Sequence, residues 1–115
     1  MLRFTSNEIG VCRGDVILVS DFDTQGPMWT DEGERQIRNR ITYSERFLMP
    51  PVVHVSPDMW DLDSSRNLRG DLAVENVTAS GFDLVFKTWG DTRVARMRVA
   101  WMAIGALPDE QDFTL

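Results

Sequence analysis

Trp89 closes the apolar run "FDLVFKTW" and is followed at once by Gly90, Asp91 and Thr92. An indole at the end of a strand, on the lip of a turn, is hard to bury completely, and its N–H is left free to donate. A half-exposed ring of this kind suits the apolar C–H face of a pyranose, with neighbouring polar groups taking the hydroxyls. Core packing explains a tryptophan equally well, and from this residue alone both readings stay open. Arg69 lies just past "SSRN" at the start of a strand, where its guanidinium fork can hold two oxygens at once. By itself it also reads as a solvated edge-strand charge. Asp31, Glu32 and Glu34 form an acidic run in a long loop. Carboxylates accept hydrogen bonds from adjacent hydroxyls, although loop charge also serves solubility alone.

Other chemistries find less to work with. His54 is the one histidine, set mid-strand with no cysteine or second histidine at ligand spacing, so it reads as a half-buried structural side chain and no metal is expected. Asp58, Asp61 and Asp63 offer a carboxylate pair for glycoside hydrolysis or a calcium site, but no calcium-loop spacing is met, and Asp/Ser at a strand end is turn chemistry. There is no Gly-rich phosphate loop, no G-x-S-x-G elbow and no Cys/His pairing for nucleophilic attack. Neither catalysis nor a cofactor is expected. "RGD", Arg13 to Asp15, reads as a turn between two apolar runs, and "NVT", Asn76 to Thr78, formally matches a glycosylation acceptor.

The elements that must carry these residues are strands. Short alternating apolar runs are separated by Gly, Pro, Asp, Asn and Ser, and helical period is nearly absent. "LRFTSNEIGVC" and "DVILVSDF" form an edge region, and "DTQGPMWTDEGE" is the longest loop candidate. In "RQIRNRITYSERF", Ile37, Asn39, Ile41 and Tyr43 face one way while Arg38, Arg40, Thr42 and Ser44 face the other. Pro50 and Pro51 interrupt pairing before "VVHVSPDMWDLD" resumes it. "LRGDLAVENV" and "FDLVFKTW" make a hairpin through "TASG". In the last strand Met97, Val99 and Trp101 point to one side and Arg96, Arg98, Ala100 and Met102 to the other. Stacked arginines need acidic partners, which makes the second face the expected subunit contact. The sum is an all-β chain, a six-stranded antiparallel β-sandwich over residues 1–107 with a solvated tail at 108–115.

The 115 residues suffice for one core without metals or crosslinks. With 43% hydrophobic and 26% charged residues the composition is that of a soluble globular domain. A net charge of −6 opposes binding to nucleic acid, and no apolar stretch is long enough to span a membrane. The single cysteine, Cys12, reads as a packed thiol. "MLRFTSNEIG" is too polar for a secretory signal, so a cytoplasmic location, or release by a non-signal route, is expected.

Taken in order and spacing, "PPVV" (Pro50 to Val53), Leu62–Asp63, "NLR" (Asn67 to Arg69), Gly81–Phe82, Thr88–Trp89 and "VAW" (Val99 to Trp101) resemble the H-type lectin domain, the family of the snail agglutinins and the C-terminal domains of the discoidins. The resemblance spans Met49 to Gly105 and is loose over the first 30 residues. It implies a six-stranded sandwich assembled as a homotrimer, alone or paired into hexamers. Sugar sites between subunits would favour galactose-type sugars, notably N-acetylgalactosamine, with a role in cell adhesion. It places Arg69 and Trp89 on sugar-contacting positions, and Asp31 or Glu32 near a carboxylate supplied by the adjacent subunit. Snail lectins carry a sugar-binding histidine where this chain has Gly90, so the resemblance leaves an alternative: a structural trimer or adhesion module of a larger particle that has lost sugar binding.

Overall fold

The computed structural model describes residues 1–5 and 8–109; most of the expected tail lies outside them. Six strands are present: β1 (Ile9–Ser20), β2 (Arg35–Thr42), β3 (Val52–Leu62), β4 (Asp71–Glu75), β5 (Gly81–Thr88) and β6 (Val94–Ala106), with one short helix, α1 (Pro27–Thr30). They form two antiparallel sheets ordered β1-β6-β3 and β2-β5-β4. The sheets pack face to face as the expected β-sandwich.

The core is what the alternation dictates. On β5, Phe82, Leu84 and Phe86 face inward and are fully buried, and Met97, Val99 and Ala103 of β6 meet them from the opposite sheet. On β2, Ile37, Asn39 and Ile41 are half-buried and continue to buried Tyr43, while Arg38, Arg40 and Thr42 are exposed. Trp101 packs edge-on against Phe82, ring centroids 5.6 Å apart, and so belongs to the core. Tyr43 stacks edge-on with Phe47 at 5.0 Å, and burial pushes its hydroxyl pKa up to about 12. Pro57 is tolerated because β3 is an edge strand and its register shifts between Pro57 and Met59.

Four expectations need correction. Arg13-Gly14-Asp15 is no turn: β1 runs straight through it, with Gly14 opposite Trp101. A Cβ at Gly14 would stand 3.0 Å from the indole, so this glycine serves a close approach within the strand. The long loop contains α1, started by Pro27 in its first turn and held by Asp21, whose carboxylate accepts from the Met28 N–H at 2.9 Å. Met28 is thereby buried. His54 is exposed and not half-buried, since it points outward from an edge strand. Lastly, Arg96 and Arg98 need no second subunit for their charge: Asp61 pairs with Arg96 at 2.8 Å and Asp58 with Arg98 at 2.9 Å, both from neighbouring β3. Those pairs account for two of the three aspartates considered for catalysis, and Asp63 accepts from the hydroxyl and N–H of Ser65 in a turn. These hydrogen bonds hold the Asp63 carboxyl below its ordinary pKa.

Candidate functional site

The site lies at the end of β5, where the chain leaves the sandwich. Thr88 is the last residue of the strand and is buried, so the next outward-facing residue, Trp89, stands at the rim. The residue remains 39% exposed. The turn that follows is fixed by Gly90, whose φ of +69° lies in the left-handed region where any other L-residue is strained. Its carbonyl accepts from the Gly33 N–H at 2.8 Å and from Arg35 Nη2 at 3.4 Å. Backbone geometry is therefore a sufficient reason for glycine at this position.

Arg69 reaches the same place from the opposite direction. Its carbonyl accepts from the Thr88 hydroxyl at 2.6 Å, and its N–H donates to Thr92 Oγ1 at 3.0 Å. Thr92 is fully buried and donates in turn to the Asn67 carbonyl, while Asn67 Nδ2 donates to Asp91 Oδ1 at 3.1 Å. Two buried hydroxyls thus lash the "NLR" segment to the "TWGDT" turn. The Arg69 side chain lies along Gly90: a Cβ built there would stand 3.6 Å from Arg69 Cδ and 3.7 Å from its Nε. The guanidinium makes no hydrogen bond or ion pair with another described residue. Sequence order separates Arg69 from Trp89 by 20 positions, and the fold brings them to one rim.

The acidic loop arrives there too. The Gly33 to Gly90 hydrogen bond ties it to the rim within the same chain, and Arg35 donates to the carbonyls of Met28 and Gly33 to hold its shape. Burial lowers the Arg35 pKa, with Asp31 and Glu32 acting in the opposite direction. Glu32 is engaged, 3.2 Å from Arg66 and 3.9 Å from Arg93. Among the described residues, the Asp31 carboxylate accepts only from its neighbour Thr30, at 3.1 Å.

A cleft of about 370 Å³ opens beside the Trp89 ring, lined also by Glu34, Arg35, Gln36, Asp71 and Lys87. Gln36, Asp71 and Lys87 escape sequence reasoning because each lies alone among ordinary strand residues. The signal that would find them is parity: residues 87 and 89 share a face, and strand pairing sets Gln36 and Asp71 on either side of Lys87. Among the described residues no group of three His, Cys, Asp or Glu side chains is placed to hold a metal ion.

Residues 38–104, more than half of the chain, match the family profile of the H-type lectin domain. A protein of Fuscovulum blasticum, "ATP synthase subunits region ORF 7", is 47% identical over 115 residues, covering 100% of this chain and 99% of that one. Discoidin-2 of Dictyostelium discoideum is 30% identical over 73 residues, 63% of this chain and only 28% of that protein's length. The solved structure of recombinant discoidin II of the same organism superposes with a TM-score of 0.74 at 24% identity, covering 91% of this chain and 40% of that one. The two-sheet architecture, the rim that joins "NLR" to "TW" and the profile match agree: the chain belongs to the H-type lectin domain family, and its role is of the carbohydrate-binding kind.

Proposed function

We propose that the protein binds galactose-type sugars, N-acetylgalactosamine among them, at the Trp89 rim, as a homotrimer and without bond making or breaking. The observation that carries this reading is the pairing of a tryptophan left 39% exposed with an arginine whose guanidinium has no partner among the described residues. The ring offers a flat apolar platform and Arg69 donates to ring or acetamido oxygens. Gly90 leaves the approach open, and Asp31 or Glu32 accepts from hydroxyls. Asp31 is the freer of the two acids, since Glu32 faces Arg66 and Arg93. Carboxylates of the same chain border the rim, and a neighbouring subunit adds its own acidic loop from outside.

Few contacts make one site weak, with Kd on the order of 1 mM, so useful strength requires several sites presented together. The trimer contact we assign to the outer face of β1-β6-β3. There Val11, Val52, Met102 and Ile104 are exposed on three adjacent strands, while the arginines further along are neutralised within the chain. An exposed apolar patch of this kind marks a protein contact.

A glycan array with wild type and Trp89→Ala, combined with light scattering, tests the reading. Galactose-type hits that vanish in the variant, from a particle of three chains, are expected. A folded trimer with no hits would favour the structural module, and a monomer at micromolar concentration would remove the intersubunit site.

A further inference from the structure

We infer that the site does not end at the Trp89 rim but continues along the outer face of β2-β5-β4, as a second subsite for the next ring of a neutral oligosaccharide; this rests on the proposed sugar binding at Trp89. The register sets Gln36, Lys87 and Asp71 in one row across the sheet. Continuing it outward places Glu34, Trp89 and Arg69 in the next row, roughly 7 Å away along the strand, because same-face residues repeat every second position. That offset matches a neighbouring ring in a glycan chain. The cleft of about 370 Å³ is lined by Gln36, Lys87 and Asp71 together with Glu34 and Trp89 of the next row, and Trp89 separates it from Arg69. Its volume is at the small end of pockets that hold organic ligands, roughly 300–1,000 Å³.

What marks the second row as a binding surface is its unmet hydrogen bonding. Beyond the backbone ladder, the side chains of Gln36, Lys87 and Asp71 make no hydrogen bond or ion pair with any described residue. Further down the same face, Arg38, Arg40, Glu75 and Asp83 are consumed by one another. The open groups therefore stop after two rows, which limits the footprint to about two rings. Their chemistry is mixed: Lys87 and Gln36 donate, and Asp71, Glu34 and the Gln36 carbonyl accept, as adjacent hydroxyls require. The cleft carries two acids, Glu34 and Asp71, against two bases, Arg35 and Lys87, so it has no net charge to favour a sulfate or carboxylate on the second ring, and the ring accepted is uncharged.

Calorimetry on the full chain with three probes tests this. They are the methyl glycoside of N-acetylgalactosamine, a neutral disaccharide ending in that ring, and the same disaccharide sulfated on its second ring. The neutral disaccharide is expected to bind about tenfold tighter than the monosaccharide, equivalent to ~1.4 kcal/mol. Gln36→Ala combined with Lys87→Ala, and independently Asp71→Asn, should bring that ratio to within about twofold of one, whereas Asp83→Asn at the far end of the face should leave it intact. A wild-type ratio near one with clear monosaccharide binding sinks the extension and spares the primary site. A ratio that survives both changes, or tighter binding of the sulfated probe, also overturns it. Silence toward all three probes removes the primary reading and the extension together.

Discussion

The outer face of β2-β5-β4 has two ends that differ in one respect. At the end holding Asp83, every charged group has found another: Arg38 bridges Glu75 and Asp83, each at 2.9 Å, Arg40 reaches Asp83 at 3.2 Å, and Asn76 Nδ2 donates to Asp83 at 2.8 Å. The network lies over Val85, which is 0% exposed although it points away from the core. At the end holding Trp89, the same three strands and Glu34 just before β2 present the side chains of Glu34, Gln36, Asp71 and Lys87 with no hydrogen bond or ion pair to another described residue. Composition barely separates the two ends. Closure does: hydrogen bonds spent inside the chain serve the fold, while those left to water can be exchanged for ligand hydroxyls at small cost.

The largest effect should come from the closed end. Gly81 begins β5 opposite Thr42, and a Cβ there would run into the carbonyl oxygen of Ile41 in the neighbouring strand. Backbone cannot yield as a flexible side chain can. Gly81→Ala is therefore expected to lose about 3 kcal/mol or more, or to prevent folding, as read from the urea midpoint. An unchanged midpoint would mean that the strands are not locked in this register and that the closed end is not closed.

Next in size is the open end. Trp89→Ala should weaken binding of N-acetylgalactosamine more than tenfold while shifting Tm by no more than a degree or two, because a rim ring supports little of the core. The reverse pattern, stability lost and binding kept, would exchange the roles of the two ends.

Asp83→Asn is the complementary change, and its effect is smaller. Asn76, followed by Arg40 and Arg38, holds the Asp83 carboxyl below its ordinary pKa. A carboxyl depressed in the folded state adds stability above its unfolded value, about 4, and that stability is lost as pH falls through the lower folded value. Asparagine cannot ionise, so the variant should melt a few degrees lower near pH 7 and show a shallower loss of Tm in acid. Sugar affinity should stay as in wild type. Coincident acid profiles for the two proteins would show that the network contributes nothing to folding.

The sequence makes the two-layer scaffold legible because strand parity and burial obey the same period of two: Ile37 and Tyr43 fall inside, Arg38 and Arg40 outside, as alternation requires. Arg69 and Trp89 are legible only through the order of the family's short motifs, since nothing local in "NLRGD" announces that two buried threonines will fold it against "TWGDT". The ion pairs Asp58–Arg98 and Asp61–Arg96 are invisible in the sequence for a related reason: which acid lies beside which base depends on strand order, and β3 pairs with β6 across more than 30 intervening residues. The straight passage of β1 through "RGD" is missed because Gly14 looks like a turn residue until the indole of Trp101 is placed against it. Local period decides faces, and partners are decided by topology.

The smallest expected effect tests why glycine occupies position 90. If its role is conformational, Gly90→Ala forces a side chain into the left-handed region at φ +69° and should cost about 1 kcal/mol of stability. Space is not the issue, because the nearest atoms, Arg69 Cδ at 3.6 Å and Nε at 3.7 Å, would sit at ordinary contact distance from the new Cβ. Sugar affinity should therefore change by less than about threefold, within the ~0.6 kcal/mol that a rim methyl without a clash can cost. Stability and affinity together separate two accounts of the residue: a turn requirement at a working site predicts the first falling and the second holding. A variant as stable as wild type would show that the backbone does not demand glycine, and the departure from the snail lectins' histidine would then have to be explained by a changed ligand.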